Sequence, residues 1–206
     1  MTNRHSARAN RKIEVLRGIW GVALLVSRDV SAERLAFTHP DFDHEHRIVA
    51  TEVAGLTIAS VYVPNGGKDF PAKMAFLEAM DTYAASLESG SRPLVMCGDL
   101  NVTLTERDVH PKERKPRAIG QLPEERDVLA RIISHGLVDV GRAIDPENDG
   151  LFTWWAPWRS MRERNIGWRL DYVLASAAVA RRTVSCNVQR EFGTSDHAPV
   201  IATFDL

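Results

Sequence analysis

The sequence is poor in cysteine, in net charge and in long hydrophobic runs. Its 206 residues include two cysteines, and its formal charges sum to −1 at pH 7. Two cysteines without CxxC spacing exclude a disulfide framework and fit a reducing compartment, so we expect a cytoplasmic protein. A net charge near zero does not indicate nucleic-acid binding, because domains that bind nucleic acids are usually much more basic. Any such partner would need a local basic patch.

No hydrophobic run approaches the ~20 residues that a membrane span needs. The longest, GIWGVALLV at 18–26, is about half that length and is better interpreted as a strand. The composition, 44% hydrophobic and 26% charged, is typical of a globular protein with one well-filled core. Because there is no internal repeat or low-complexity linker, we predict one domain over 18–206. Residues 1–17 are interpreted as a disordered or unrelated leader.

Apolar patterning predicts seven strands and two helices. In the first helix, 71–89, apolar side chains recur at helical spacing. The second helix, 123–135, opens at Pro123 and carries two glutamates in its first turn. The predicted strands are 21–26, 47–53, 56–63, 93–98, 169–175, 184–190 and 199–204. Many strands with few helices between them favour a mixed α/β layered fold.

Polar side chains cluster where predicted strands end or begin. Three short segments carry them: VYVPNGG at 61–67, CGDLN at 97–101 and GTSDHAPV at 193–200. Their polar residues are Tyr62, Asn65, Asp99, Asn101, Asp196 and His197. Loops at strand ends, set on a rigid sheet, often carry binding and catalytic groups. We therefore expect these segments to meet at one site.

Asp99 and Asn101 are two residues apart, and this spacing has two interpretations. In an extended chain both side chains point to the same side, so they would face one site. A carboxylate beside an amide can hold a hard cation or a water molecule. In the alternative, Gly98 and Asp99 form a turn that the aspartate caps. The segment alone favours the two interpretations equally.

Two acidic residues are candidate partners of His197. The adjacent Asp196 and His197 are typical of a base oriented by a carboxylate, although a turn aspartate beside a surface histidine is the alternative. Asp171 lies within the apolar segment WRLDYVLAS, where an unpaired carboxylate would be costly to bury. It therefore needs a partner, either His197 or, in a purely structural ion pair, Arg169 or Arg164.

Four of the five tryptophans lie within 151–171, interleaved with arginines. They are Trp154, Trp155, Trp158 and Trp168, and the arginines are Arg159, Arg162, Arg164 and Arg169. Aromatic faces beside cationic side chains suit sugars, bases and phosphates. The alternative, which we expect for at least half of these tryptophans, is core packing. A second basic run, HPKERKPR at 110–117, could contact a phosphate backbone or be a solvated loop.

Taken in order, YVPNGG, GDLN, FTWW, NIGWRLDYVLAS and SDHAPV resemble the exonuclease III class of apurinic/apyrimidinic endonucleases. This class belongs to the endonuclease/exonuclease/phosphatase superfamily, and the resemblance runs from about Trp20 to Phe204. It implies a four-layer α/β sandwich, in which two packed mixed β-sheets are flanked by helices. The implied reaction is hydrolysis of DNA phosphodiesters with Mg²⁺ (or Mn²⁺), 5′ to an abasic sugar or at a 3′ end.

The resemblance also implies roles for individual residues. Asp99 would activate or orient the attacking water, and Asn101 would donate a hydrogen bond in the transition state. His197, oriented by Asp171, would contact the scissile phosphate, as would Tyr62. The implied DNA-binding residues are Asn65, Lys68, Trp154, Trp168 and Arg169, with the two tryptophans lining the abasic-sugar pocket. The implied metal ligands are Asp99, Asn101, Asp196 and His197.

The chain departs from the family pattern at its start. Family members open with a strand that carries an asparagine, a helix, and a strand that ends in a Gln-Glu pair whose glutamate is the principal metal ligand. MTNRHSARANRKIEVLR matches neither motif. We therefore expect N-terminal strands and the principal glutamate ligand to be missing, which would weaken metal binding. A misassigned start, a broken reading frame or a degenerate family member would each explain this.

The expected partner is double-stranded DNA with abasic sites or 3′ ends, bound by a monomer. Two alternatives stay open at this point. One is a non-catalytic DNA-binding remnant that keeps the tryptophan and arginine surface. The other is a superfamily phosphatase acting on a small phosphoester, although the tryptophan block argues against it.

Overall fold

The computed structural model describes residues 21–31, 34–89 and 92–206. The predicted leader, 1–17, lies outside these residues, as do the predictions about missing N-terminal strands and the missing glutamate. The strands are β1 Phe37–Thr38, β2 Ile48–Val53, β3 Leu56–Tyr62, β4 Leu94–Asp99, β5 Leu137–Asp139, β6 Asp171–Ser176, β7 Thr183–Val188 and β8 Val200–Phe204. The helices are α1 Phe70–Ser89, α2 Pro123–Ser134, α3 Val140–Ile144 and α4 Ala177–Ala180. Two 3₁₀ turns, Glu106–Asp108 and Pro111–Glu113, lie between β4 and α2.

Six strands form a mixed sheet in the order β1-β2-β3-β4-β6-β5. Strands β3 and β4 are parallel and the other neighbours are antiparallel. The parallel pair is joined by α1, since parallel neighbours need a crossover connection. Strands β7 and β8 form a separate antiparallel pair. The carboxyl ends of β3 and β4 therefore lie beside the start of β6.

Successive residues of β4 pack on opposite faces of the large sheet, as the two-residue period of a strand requires. Met96 is buried against the helices α1 and α2, with Leu77, Leu129 and other apolar side chains. Val95 faces the other side, where it packs with Val173 of β6 and with residues of β7 and β8. Helices, large sheet and small sheet are thus stacked in layers. This arrangement confirms the predicted α/β sandwich.

Local chemistry explains the ends of the two long helices. The Asp69 carboxylate accepts the backbone N–H of Ala72 at 2.9 Å, which caps α1. Pro123 begins α2, where its missing N–H costs nothing, and Gly136 follows the helix with a φ of 69°. Both predicted helices are confirmed, and no helix in the described part of the chain is long and apolar enough to cross a membrane.

Six of the seven predicted strands are confirmed, and the prediction for 21–26 is wrong. Within the described ranges this run belongs to neither sheet, and Leu25 is 90% exposed. Apolar content indicates a strand only where a neighbouring backbone pairs with it, and the sequence pattern carries no information about that partner. The short strands β1 and β5, of two and three residues, were not predicted, because they are too short to show a period.

Candidate active site

Three of the predicted site residues lie in register across adjacent strands. Tyr62 at the end of β3 pairs with Asp99 at the end of β4, and Asp99 pairs with Asp171 at the start of β6. Paired residues on neighbouring strands place their side chains close together. The sheet itself therefore brings a phenol and two carboxylates to one edge.

Gly98 makes this approach possible. Its φ is 139°, and a Cβ at this position would lie 2.0 Å from the carbonyl oxygen of Val61 on the neighbouring strand. Only glycine lets the two backbones come this close. The strand ends one residue later, and Asn101 turns the chain with a φ of 50°, a conformation that asparagine tolerates well.

The structure shows the turn of the second interpretation, and within this turn the two side chains also meet. Asp99 Oδ1 accepts the backbone N–H of Asn101 at 2.9 Å, which is the turn cap. Its Oδ2 accepts a hydrogen bond from Asn101 Nδ2 at 2.8 Å, so the two side chains also meet. They do so through a turn and not along an extended strand. The Asn101 amide is held further by Val63 O and by Asn65 Nδ2.

Asp171 pairs with His197, which was the first of its predicted partners. Asp171 Oδ2 accepts a hydrogen bond from His197 Nδ1 at 2.8 Å. Burial alone would lower the pKa of His197, but the hydrogen bond and the charge of Asp171, together with Asp99 and Asp196, raise it above the usual value. The imidazole is therefore held in one orientation with its charged form favoured.

In Asp99, by contrast, a raised pKa favours the neutral form of the side chain. Burial and the negative charge of Asp171 raise its pKa from 3.8 to about 7, against the opposing effects of His197 and the Asn101 backbone. A carboxyl group with a pKa near 7 can give and accept a proton at neutral pH. Burial and the Asp99 charge also raise the pKa of Tyr62, which keeps its hydroxyl protonated.

Two tryptophans stand beside these polar groups. The rings of Trp154 and Trp168 are 5.6 Å apart at 73°, and their backbones exchange two hydrogen bonds of 2.9 Å. Trp154 Nε1 donates to Asp196 Oδ2 at 2.9 Å, which ties the tryptophan block to the SDHAPV segment. Trp155 is fully buried, whereas Trp158 is 59% exposed. The expectation that at least half of these four are core residues is therefore wrong, since Trp154 and Trp168 are only half-buried.

These groups line one cleft of about 350 Å³, which is called the cleft below. Its walls are Tyr62, Asn65, Asp99, Asn101, Ile119, Trp154, Trp168, Leu170, Asp196 and His197. Eight of these ten were predicted from the sequence. Ile119 and Leu170 were not, because an apolar side chain carries no chemical signal. The position of Leu170 directly before Asp171 was the one available hint.

Arg169 was predicted to bind DNA, and this prediction is wrong. The side chain is buried, with a residue exposure of 3%. Its guanidinium makes ion pairs with Asp108 at 2.8 Å and with both oxygens of Asp139 at 2.7 and 2.9 Å. Its donors are thus turned inward to carboxylates, and the sequence contained no sign of these partners. The predicted DNA-binding residue Lys68 is exposed and stands outside the lining of the cleft.

The basic run 110–117 lies just before Ile119, a residue of the cleft wall, in the sequence. Lys112, Lys115 and Arg117 are exposed, and the chain reaches Ile119 in the cleft wall two residues after Arg117. Arg114 is tied to the backbone by hydrogen bonds to Glu106 O and Val109 O. The run thus carries exposed positive charge close in sequence to the cleft wall, while the side chain of Arg114 is held by hydrogen bonds.

A metal ion fits this donor set in part. Within 21–31, 34–89 and 92–206, no group of three or more His, Cys, Asp or Glu side chains is placed to hold one. The four predicted ligands therefore do not form a ready-made metal site. However, burial and the charge of the neighbouring Asp171 both raise the pKa of Asp99, and a bound cation would offset both effects.

Comparisons with known proteins agree with the motifs. The model of the Endonuclease/Exonuclease/phosphatase family matches residues 9–197. The exodeoxyribonuclease of Bacillus subtilis is 30% identical over 190 residues, which are 90% of this chain and 75% of that protein. The DNA repair nuclease APEX1 of Danio rerio is 29% identical over 188 residues, 89% of this chain and 60% of that protein.

Solved structures show the same fold. An AP endonuclease from Archaeoglobus fulgidus superimposes with a TM-score of 0.75 at 29% identity, over 84% of this chain and 71% of that one. A 3′ phosphatase from Neisseria, bound to a product DNA hairpin, gives a TM-score of 0.76 at 28% identity, over 84% and 70%. With its motifs, its fold and its cleft in agreement, the chain belongs to the endonuclease/exonuclease/phosphatase family of phosphodiesterases, in the branch of the exonuclease III-like apurinic/apyrimidinic endonucleases.

Proposed function

We propose that this protein is a metal-dependent DNA-repair nuclease that hydrolyses phosphodiesters 5′ to abasic sites or at 3′ ends. The observation that carries the proposal is the cleft, where a carboxyl group with a pKa near 7 lies beside a histidine with a raised pKa and a wall of two tryptophans. APEX1 is a DNA repair nuclease and the Neisseria protein is a 3′ phosphatase bound to product DNA, which supports the choice of substrate.

In this reaction Asp99 accepts a proton from the attacking water or orients it. Its raised pKa suits a base that works near neutral pH. Asn101, whose amide is fixed by Asp99, Val63 and Asn65, donates a hydrogen bond to a phosphate oxygen as charge develops. Donors that are already in position need no reorganisation during the reaction, and this lowers the barrier.

His197 and Tyr62 complete the phosphate site. Because Nδ1 of His197 is engaged with Asp171, Nε2 is the nitrogen that faces a phosphate oxygen in this proposal. The raised pKa of His197 favours the imidazolium, whose positive charge attracts the phosphate. The Tyr62 hydroxyl, kept protonated, adds a neutral donor.

Asp196 is the residue best suited to hold the divalent cation, with Asp99 and Asn101 as the other predicted oxygen ligands. His197 was also predicted as a ligand, but in this proposal its Nδ1 is engaged with Asp171 and its Nε2 with the phosphate. We propose Mg²⁺, or Mn²⁺, because hard cations take carboxylate and amide oxygens. When bound, the cation would neutralise charge on the phosphate and on the carboxylates.

The half-buried Trp154 and Trp168 offer flat apolar faces that suit a deoxyribose without its base. Asn65 and Lys68 would contact the flanking backbone, and the exposed basic run 110–117 would add phosphate contacts. We further propose that the protein acts as a monomer in the cytoplasm on double-stranded DNA.

An incision assay on a duplex with one abasic site tests the proposal. We expect cleavage with Mg²⁺ or Mn²⁺, no cleavage in EDTA, and a loss of at least roughly a hundredfold in Asp99→Asn. A 3′-phosphate duplex and a small aryl phosphate are the comparison substrates. Binding without cleavage would instead support the DNA-binding remnant, and hydrolysis of the aryl phosphate alone would support a small-molecule phosphatase.

A further inference from the structure

Helices α1 and α2 are joined by an ion pair that is entirely shielded from solvent. Lys73 of α1 and Glu125 of α2 are 2.5 Å apart, and both side chains are 0% exposed. Burial lowers the pKa of Lys73, while Glu125 and Asp99 act against this. Among the residues that the structure describes, neither Lys73 nor Glu125 lines the cleft.

Lys73 also holds the backbone of Asn101. Its Nζ donates to the Asn101 carbonyl oxygen at 2.8 Å. Asn101 is the residue that turns the chain after Asp99 with a positive φ, and its side chain projects into the cleft. A buried ammonium is thus bonded to the main chain of one of the proposed catalytic residues.

Glu125 holds the turn that follows Ile119 of the cleft wall. Its Oε2 accepts the backbone N–H of Gly120 at 2.6 Å and that of Leu122 at 3.1 Å. A Cβ on Gly120, whose φ is 88°, would lie 3.2 Å from the Asn101 carbonyl and 3.3 Å from the Trp168 ring. The turn therefore packs between Asn101 and Trp168, directly after Ile119 of the cleft wall.

The energetics argue that this pair does more than stabilise the fold. Burying two charges costs several kcal/mol in desolvation, and well-packed neutral residues in their place are often as stable. An apolar contact, however, could not bond both the Asn101 carbonyl and the Gly120 N–H. What the charges add is a direct link between the Asn101 backbone and the Gly120 turn.

We propose that Lys73 and Glu125 form a positioning pair, which holds the Asn101 turn and the Gly120 turn in the geometry that phosphodiester hydrolysis requires. This inference rests on the proposed nuclease function. Neither residue touches the reacting atoms; both act through the backbone that carries Asn101, Ile119 and the support of Trp168.

The test is the double variant Lys73→Met/Glu125→Gln, which removes both charges but keeps an acceptor for the Gly120 and Leu122 amides. We expect kcat on the abasic duplex to fall roughly tenfold or more, since small misplacements cost catalysis heavily. KM should change less than kcat, because the proposed phosphate contacts of Lys68 and of the exposed basic run do not involve Lys73 or Glu125. Lys73 reaches only the backbone carbonyl of Asn101, and Glu125 does not contact Asn101, so a shift or broadening of the Asn101 side-chain amide resonance, which we expect, would report displacement of the turn.

The matched control is Arg131→Met. Arg131 also links α2 to α1, through Glu78 at 2.5 Å and Asp81 at 3.1 Å, but these contacts are partly exposed and lie at least one helical turn from Lys73 and Glu125 along each helix. We expect it to leave kcat and the Asn101 resonance unchanged. An equal loss in this variant would mean that helix packing in general, and not the buried pair, sets activity, and would overturn the inference.

Other outcomes are equally decisive. A double variant that folds and cleaves with the wild-type kcat overturns the positioning role. If the double variant does not fold, Glu125→Gln alone is measured in the same way, and unchanged kcat again overturns it. If the wild-type protein does not cleave DNA, the proposed function fails, and the Asn101 resonance decides: a shift supports the positioning pair, and no shift overturns it.

Discussion

Asp99 and Asp171 lie directly opposite each other on neighbouring antiparallel strands, β4 and β6. Two carboxylates at this spacing are not both readily ionised unless a positive charge intervenes. His197 supplies that charge to Asp171 through a hydrogen bond of 2.8 Å. Asp99 has no comparable cationic partner at hydrogen-bond distance in the described part of the chain, and its burial together with the charge of Asp171 raises its pKa to about 7.

The first prediction is that metal-free protein becomes less stable between about pH 4 and pH 7. The pKa of Asp99 is about 7 in the folded protein, against an ordinary value of 3.8. Between these two pH values the folded protein therefore keeps a proton on Asp99 that the unfolded chain has released. A carboxyl pKa raised by folding adds stability at low pH that is lost as the pH rises through the folded value. The loss is up to about 4 kcal/mol at 1.36 kcal/mol per pH unit.

Chemical denaturation in EDTA at several pH values measures this effect, with Asp99→Asn as the comparison. The variant cannot ionise, so its free energy of unfolding should depend less on pH and should exceed that of the wild type at pH 8. Parallel pH profiles for the two proteins would show that Asp99 has an ordinary pKa. Added Mg²⁺ should restore stability to the wild type at pH 8 and have less effect on the variant.

The second prediction is that Asp171→Asn moves the pH profile of kcat/KM to lower pH. Asp171 raises the pKa of His197 and also that of Asp99, so its neutralisation should lower both. The acidic limb, set by Asp99 as base, and the alkaline limb, set by protonated His197, should move together. The maximum should fall by at least roughly tenfold, because the imidazole loses its orienting carboxylate.

Asp81→Asn is the matched control for this prediction. Asp81 Oδ1 is 2.9 Å from Nε2 of His135, so the chain offers a second carboxylate–histidine pair, and it lies between α1 and the end of α2, outside the cleft. We expect this variant to keep the wild-type pH profile. A shifted maximum in Asp81→Asn, or an unshifted one in Asp171→Asn, would contradict the assignment.

The site was more predictable from the sequence than the supports around it. Side chains such as Asp99, Asn101 and His197 are polar residues at strand ends, and short motifs mark them. The choice of His197 as the partner of Asp171 was one of several open alternatives, because pairing across 26 residues depends on how the strands meet. The turn between Asp99 and Asn101 was likewise compatible with the spacing but not required by it.

Buried charges account for most of what could not be predicted. Arg169 has the same sequence context as the exposed arginines of its segment, yet it is turned inward to Asp108 and Asp139. Its partners lie 61 and 30 residues away, and no periodicity indicates them. The prediction of a strand over 21–26 was wrong for a related reason. Strand pairing depends on two segments, and the apolar pattern describes only one of them.

The third prediction concerns Gly98. In Gly98→Ala the new Cβ would lie 2.0 Å from the Val61 carbonyl, at a φ of 139° that alanine rarely adopts. We expect a loss of at least about 2 kcal/mol in unfolding free energy, together with a loss of activity, because Asp99 and Asn101 follow directly. In the control, Gly141→Ala, the nearest atom would be 3.7 Å away. Thermal and urea denaturation compare the two, and similar stability in both would contradict the proposed close approach.

The fourth prediction separates the buried arginine from the exposed basic run. Arg169→Met leaves the buried Asp108 and Asp139 without their main cation, so we expect a loss of about 3–5 kcal/mol in unfolding free energy. Arg117→Ala changes an exposed side chain near the cleft, and its stability should stay within about 0.5 kcal/mol of the wild type.

DNA affinity should show the reverse order. Because Arg117 is proposed to contact phosphate, Arg117→Ala should weaken binding to any duplex and reduce the slope of log K against log salt by up to about one. Arg169→Met, measured at a temperature where it is fully folded, should keep the wild-type salt slope, because its guanidinium reaches no phosphate. Fluorescence anisotropy between 50 and 200 mM salt, about the range in which phosphate contacts dominate, measures both. A smaller salt slope in Arg169→Met would return this residue to the DNA-binding surface.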